Sequence, residues 1–324
     1  MSVQRVGIFC DFGLPADLAM WAAELADVGF SDAVIGLDHS DDGKLQMLAS
    51  PQRIADAAHE LRLLDIDCHL MSWPTPNERD IRDNVERIRP LAEDIQVRSW
   101  LLDVEHGWMT DLDADGDEGT NHHQGAELLA ELLDGFGGLV GVTGYGYLPR
   151  SLHPLILLVA DYLLPQAYSI WQPSKSYTLA AGSAPGILQA GSVRSWRTSE
   201  RKMRPDSKPM HMIAGLACYY QARPDRDQLR SMGDAWQAML NTNECTEAWY
   251  WSEKGMRGRW AGDNPQEREA FIRDKALEAR RSRRLAIELD EQNTLGSIRP
   301  AIADANALDF VQSRIVELSP DDHS

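Results

Sequence analysis

Ala33–Trp73 reads AVIGLDHSDDGKLQMLASPQRIADAAHELRLLDIDCHLMSW, and the order of its parts decides the fold. AVIGLD, Ala33 to Asp38, is a short apolar run that closes on an acid, the pattern of a buried strand. A helix follows, opened by Ser50 and Pro51, a capping side chain and then a proline at the first helical position. It ends before Asp65. A second strand, Ile66 to Trp73, stops at Pro74 and Pro76. Two strands joined through a helix must run parallel within one sheet.

The same alternation continues in both directions. Upstream lie a strand over Arg5 to Asp11, containing VGIFCD, and a helix over Ala16 to Val28 with Leu18, Trp21, Ala22 and Leu25 on one face. Downstream come a helix over Glu78 to Leu91, a strand over Val97 to Glu105, a helix over Gly125 to Leu133 and a strand over Leu139 to Tyr145. A short helical segment at Leu152 to Leu158 leads to a strand over Tyr162 to Tyr168. A longer crossover with helix near Pro185 to Ser199 precedes a strand over Met210 to Ala217. A helix over Asp225 to Leu240 and a strand over Glu247 to Trp251 complete the set. Eight βα units within about 250 residues predict an α/β chain closed into a (β/α)8 barrel, a TIM barrel, rather than an open doubly wound sheet. No G-x-G-x-x-G follows the first strand and no phosphate-binding P-loop occurs. The reading places a barrel catalytic domain at 1–262. It assigns 263–324 to the final barrel helix and a helical C-terminal extension. Pro265 to Gln292 reads as a long helix, Asn293 to Ser324 as a small helical cap or partner-binding segment, and Pro320 to Ser324 as disordered.

Composition narrows the function. The chain has 324 residues, 43% hydrophobic and 25% charged, with 32 basic against 50 acidic residues and a formal charge of −18. Such a surface repels phosphate backbones and anionic bilayers, so neither nucleic acid nor membrane is an expected partner. Cys10, Cys68, Cys218 and Cys245 lie far apart in apolar runs, which reads as reduced core cysteines rather than disulfides or a zinc site. The N-terminus lacks a basic segment followed by an apolar one, and no stretch approaches a membrane span. Synthesis in the cytoplasm is expected.

Barrels place their chemistry at the C-terminal ends of the strands. That filter selects the end of Ser99–Trp108, SWLLDVEHGW, where an apolar strand reaches Asp103 and Glu105. Residues two apart on a strand face the same side, so both carboxylates should project into one mouth. Close carboxylates resist double ionisation, which raises one of them towards a proton donor's range. For a sugar carrying an N-acetyl group, Glu105 could protonate the glycosidic oxygen while Asp103 orients the acetamide, itself able to act as nucleophile. The same filter selects Asp11, Asp38, His69, Trp73, Tyr145, Gln166, Tyr168, Trp249 and Trp251. Tryptophan stacks on pyranose rings, and ten are present, although barrel packing accounts for at least half.

VGIFCD ending in Asp11 and LLDVE ending in Asp103 and Glu105 resemble the glycoside hydrolase family 25 lysozymes, which are muramidases. DCHLMSW with His69 resembles their third strand. The resemblance covers short strand ends. It implies a TIM barrel, Glu105 as acid/base, Asp103 assisting, Asp11 as an auxiliary acid, a peptidoglycan substrate and no required cofactor. EAWYWS with Trp249, and Gln166-Ala167-Tyr168, are instead similar to the chitinase-type family 18 barrels. There Tyr168 would meet the acetamide and Trp249 would floor the cleft. The full acidic signature of family 18 is absent. Asp38, His69, Trp73, Tyr145, Gln166 and Trp251 are assigned to substrate binding. An enzyme of this kind would reach the wall after lysis, virion assembly or non-classical export, with a virion or secretion-machine partner on the C-terminal extension.

Other readings stay open. Asp111, Asp113, Asp115 and Gly116 match the start of a calcium loop, yet the twelfth position is His122 where a bidentate Glu is needed. Structural calcium and a solvated acidic loop both fit. His39, His69, His106, His122 and His123 with Asp103 and Glu105 would suit a metal-dependent barrel hydrolase or isomerase, although no H-E-x-x-H occurs. A non-catalytic carbohydrate-binding or virion structural barrel is the third reading. No G-x-S-x-G elbow supports serine chemistry. Arg280 to Arg284, RRSRR, lies among acids on the long helix and reads as a solvated face.

Overall fold

The computed structural model describes residues 4–10, 13–37, 47–104, 107–108, 118–144, 146, 148, 150–167, 185–217, 233, 236–237, 239–256 and 265–302. Its strands are β1 (Arg5–Cys10), β2 (Asp32–Gly36), β3 (Asp67–Ser72), β4 (Ser99–Asp103), β5 (Leu139–Gly144), β6 (Tyr162–Pro165), β7 (His211–Ala217) and β8 (Glu247–Trp251). They close into a barrel in sequence order, with every neighbouring pair parallel and β8 returning to β1 through Gly7 opposite Trp249. The helices are α1 (Leu18–Val28), α2 (Pro51–Leu63), α3 (Glu78–Asp94), α4 (Glu118–Leu132), α5 (His153–Leu158), α6 (Pro185–Met203), α7 (Glu253–Met256) and α8 (Pro265–Ile302). The (β/α)8 architecture is the one expected from the sequence.

Local signals fix the helix starts. Asp17 accepts from the Met20 backbone N–H, Ser50 from that of Arg53 ahead of Pro51, and Asn77 from that of Arg79. Each side chain satisfies one of the amides that a helix N-terminus leaves without a partner. Helix α4 begins at Glu118, ahead of the expected Gly125. That glycine is no breaker: a Cβ there would stand 3.0 Å from the Trp108 ring, so it serves close packing. The chain divides into two compact units, Met1–Arg280 and Arg281–Ser324, and the division falls inside α8. Ile272, Ala276 and Ala279 of that helix belong to the main core of the first unit. Among the described residues, no helix is long and apolar enough to cross a membrane.

Alternation along each strand builds two cores. Ile8, Ile35, Leu70, Leu102 and Leu163 face outwards and join Trp21, Leu25, Ile54, Leu61 and Ile88 of the helices. Phe9, Val34, Met71, Leu101, Leu164, Ile213 and Trp249 face inwards with Tyr162 and fill the barrel. Space for the large interior rings comes from glycines on neighbouring strands. A Cβ on Gly7 would stand 2.7 Å from the Trp249 ring, and one on Gly141 2.2 Å from that of Tyr162. Large and small residues interleave, as close packing of a barrel interior demands.

Candidate functional site

Parity carries the inward-facing positions up each strand to the open end. On β4 they are Ser99, Leu101 and Asp103. Asp103 is buried, and its Oδ1 accepts a hydrogen bond from Gln166 Nε2 at 3.2 Å. Gln166 lies just beyond β6, bridged to Gly215 of β7, and its backbone N–H donates to the Gly144 carbonyl at 2.9 Å. Gly215 makes this possible, since a Cβ there would stand 3.0 Å from the Pro165 carbonyl oxygen. The amide of Gln166 thereby reaches past β5 to β4. Thr143 of β5 is the register partner of Asp103. Its Oγ1, the Gln166 Oε1 and the Trp249 Nε1 are buried without a hydrogen-bond partner among the described residues. Buried polar atoms are normally paired, so these are places where a ligand's polar groups would gain most.

Beneath this level the barrel is polar. Arg5 Nη2 donates to Asp32 Oδ1 at 2.6 Å and also reaches Asp67, while Arg5 Nε donates to Asp32 Oδ2 at 2.9 Å. His69 lies 3.0 Å from Asp32 Oδ1 through Nε2 and 2.6 Å from Ser99 Oγ through Nδ1. Ser99 Oγ is 2.8 Å from the Tyr162 hydroxyl. Burial alone would raise the Asp32 carboxyl, but the hydrogen bonds and charges of His69 and Arg5 outweigh it and hold that carboxyl well below the usual range. Burial pushes the Tyr162 phenol up, against the opposing hydrogen bond of Ser99. Sequence reasoning missed Arg5, Asp32 and Tyr162. The available signal was their inward parity within strands that are otherwise apolar.

The structure places the expected site residues at different depths. Asp103 and Gln166 meet at the open end. Trp73 and Trp251 are half-buried and pack onto the interior cluster, with Trp251 5.1 Å from Phe9 between ring centroids. His69 and Trp249 lie inside the barrel rather than at its mouth. Each is at most 2% exposed, their rings are 4.6 Å apart, and both nitrogens of His69 are engaged below. Asp11, Asp38, Glu105, Tyr145 and Tyr168 lie outside the described residues, as do Asp111, Asp113 and Asp115 of the acidic loop. His122, the twelfth position of that loop, is buried on α4 with Nε2 2.5 Å from the Gly107 carbonyl. His123 is exposed on the same helix beside Glu127. The structure does not bring His69, His122 and His123 together. Among the described residues, no three His, Cys, Asp or Glu side chains are placed to hold a metal ion.

The chain matches no model of a known protein family, and no curated protein resembles it in sequence. Its fold does have solved counterparts. A chitinase from Bacteroides thetaiotaomicron superposes with a TM-score of 0.57 at 8% identity, covering 86% of this chain and 97% of that one. A GH113 beta-1,4-mannanase gives 0.54 at 12%, covering 86% and 99%. The spore cortex-lytic enzyme SleL of Bacillus megaterium QM B1551 gives 0.53 at 10%, covering 84% and 74%. At these identities the likeness is one of fold.

Proposed function

We propose that this protein is a glycoside hydrolase whose substrate is an N-acetylhexosamine-containing polysaccharide, namely peptidoglycan. The observation that carries the reading is the buried carboxylate of Asp103 at the end of β4, held on one oxygen by the neutral amide of Gln166. Asp103 is the assisting acid and Glu105, two residues on, the proton donor and later base. From that position Asp103 would orient an acetamide N–H or stabilise positive charge at the anomeric carbon. Trp73 and Trp251, half-buried against the interior cluster, are the candidates for sugar stacking. The names of the fold neighbours, a cortex-lytic enzyme and a chitinase among them, support this class of substrate.

Incubation of the protein and of Glu105→Gln with purified peptidoglycan and with chitin oligomers, read as new reducing ends by mass spectrometry, tests the reading. Wild-type products with roughly 100-fold fewer from the variant are expected. Absence of cleavage of both polymers, or equal cleavage by both proteins, would overturn it.

A further inference from the structure

At the end of the barrel opposite Asp103, where βα barrels keep stability rather than chemistry, a groove of about 640 Å3 opens between the last turns of α6, the start of β7 and the segment before β8. Four permanent cations line it, Arg197, Arg201, Arg204 and Lys208, against the carboxylates of Asp161 and Glu244. Three of the cations sit at i, i+4 and i+7 along one face of α6 and the turn after it, so they form a stripe. In a chain of net charge −18, four cations against two carboxylates make this groove locally basic.

The cations are not equally occupied. Arg197 is buried and committed, with Nε on Glu244 at 2.8 Å and Nη1 on Glu200 at 3.0 Å. Glu200, itself buried, also accepts from the Met210 backbone N–H at 3.2 Å. Arg201 touches Glu244 at 3.2 Å through Nη2 alone and is largely exposed. Arg204 approaches Glu200 only at 3.8 Å, beyond hydrogen-bond reach. Lys208 is exposed, and no ion pair or hydrogen bond joins it to a described residue. The two acids of the rim are already engaged: Glu244 by both arginines, and Asp161 by the Val140 backbone N–H at 2.8 Å. Met210 and Met212 give the groove an apolar floor.

We propose that this groove binds a phosphate group, free or carried on a polymer. Arg201, Arg204 and Lys208 line one groove with separate N–H donors, which a tetrahedral oxyanion with several charged oxygens can use together. A single carboxylate could satisfy only part of the set. The Arg197–Glu200–Glu244 cluster serves as the scaffold that aims the other two arginines. The overall negative charge of the protein opposes any anion at long range, so binding should be modest and should weaken with salt. The proposal does not depend on sugar cleavage at the other end of the barrel.

Calorimetric titration of the full chain with inorganic phosphate, at fixed ionic strength set by sodium chloride, tests it. The same titration is made with the paired substitution Arg204→Gln and Lys208→Gln, whose folding is checked by circular dichroism and thermal melting. Saturable binding by wild type, weakened about tenfold or more in the paired variant, is expected. No saturable binding, or equal binding by both proteins, would overturn the proposal. Long-chain polyphosphate distinguishes the sources. Tighter binding than phosphate, with the same sensitivity to the substitutions, assigns the groove to a polymer-borne group, and equal binding per phosphate assigns it to the free ion.

Discussion

Asp103 and Asp32 both face into the barrel, with different neighbours. Asp103 accepts from a neutral amide, whereas Asp32 lies between Arg5 and His69. Replacing Asp103 by Asn keeps the shape and removes the carboxyl, so on the proposed function kcat on the cleaved polymer should fall about 100-fold while the melting temperature stays close to wild type. Replacing Asp32 by Ala strands Arg5, 8% exposed, without its main counter-charge. A loss of roughly 3–5 kcal/mol is expected in urea unfolding. The pH dependence has a definite sign. The folded-state carboxyl of Asp32 lies below its ordinary value of 3.8, so the unfolded chain binds the proton first. Its stabilising contribution is complete above that value and is lost as the pH falls below it. Asp32→Asn should therefore flatten the decline of stability with acid below about pH 4; an unchanged slope would show that other carboxylates set the acid limb.

At the scale of elements, the strands work as pairs of faces and the helices as capped rods. The glycines of β1 and β5 are the hollows into which Trp249 and Tyr162 fit. Gly141→Ala leaves an ordinary strand backbone but drives a methyl into the Tyr162 ring. Denaturant unfolding should show a loss of roughly 1–3 kcal/mol, and no change would mean that β5 and β6 shift freely. Ser50 opens α2 by accepting the Arg53 N–H, so Ser50→Ala should cost about 1 kcal/mol in the same measurement. These elements were legible in the sequence because each carries a local period or a cap. The bounds of β8 agree with the sequence reading to the residue, while α4 starts seven positions earlier than read. The reading began the helix at Gly125, a glycine that close packing on Trp108, seventeen residues away, holds inside the helix.

For the whole molecule, the barrel shelters the cysteines among the described residues. Cys10, Cys68 and Cys245 are buried and outside any disulfide, and burial pushes the thiols of Cys68 and Cys245 up to about 12. Site-resolved alkylation by mass spectrometry at neutral pH should leave these three unmodified until the protein unfolds. Sequence alone determined the alternation of strand and helix, hence eight parallel strands and the inward parity of Asp103, Trp249 and Trp251. Those properties reside in periods of 2 and 3.6 residues that any short window displays. Only the tertiary structure decided which polar groups meet: Gln166 with Asp103 across β5, and Asp32 with His69, Ser99 and Tyr162 across four strands. It also decided that His69 and Trp249 sit within the barrel. Such partners are set by strand register, barrel closure and the depth of each residue along the barrel axis, quantities that depend on all eight strands together and leave no trace in the local pattern of any one.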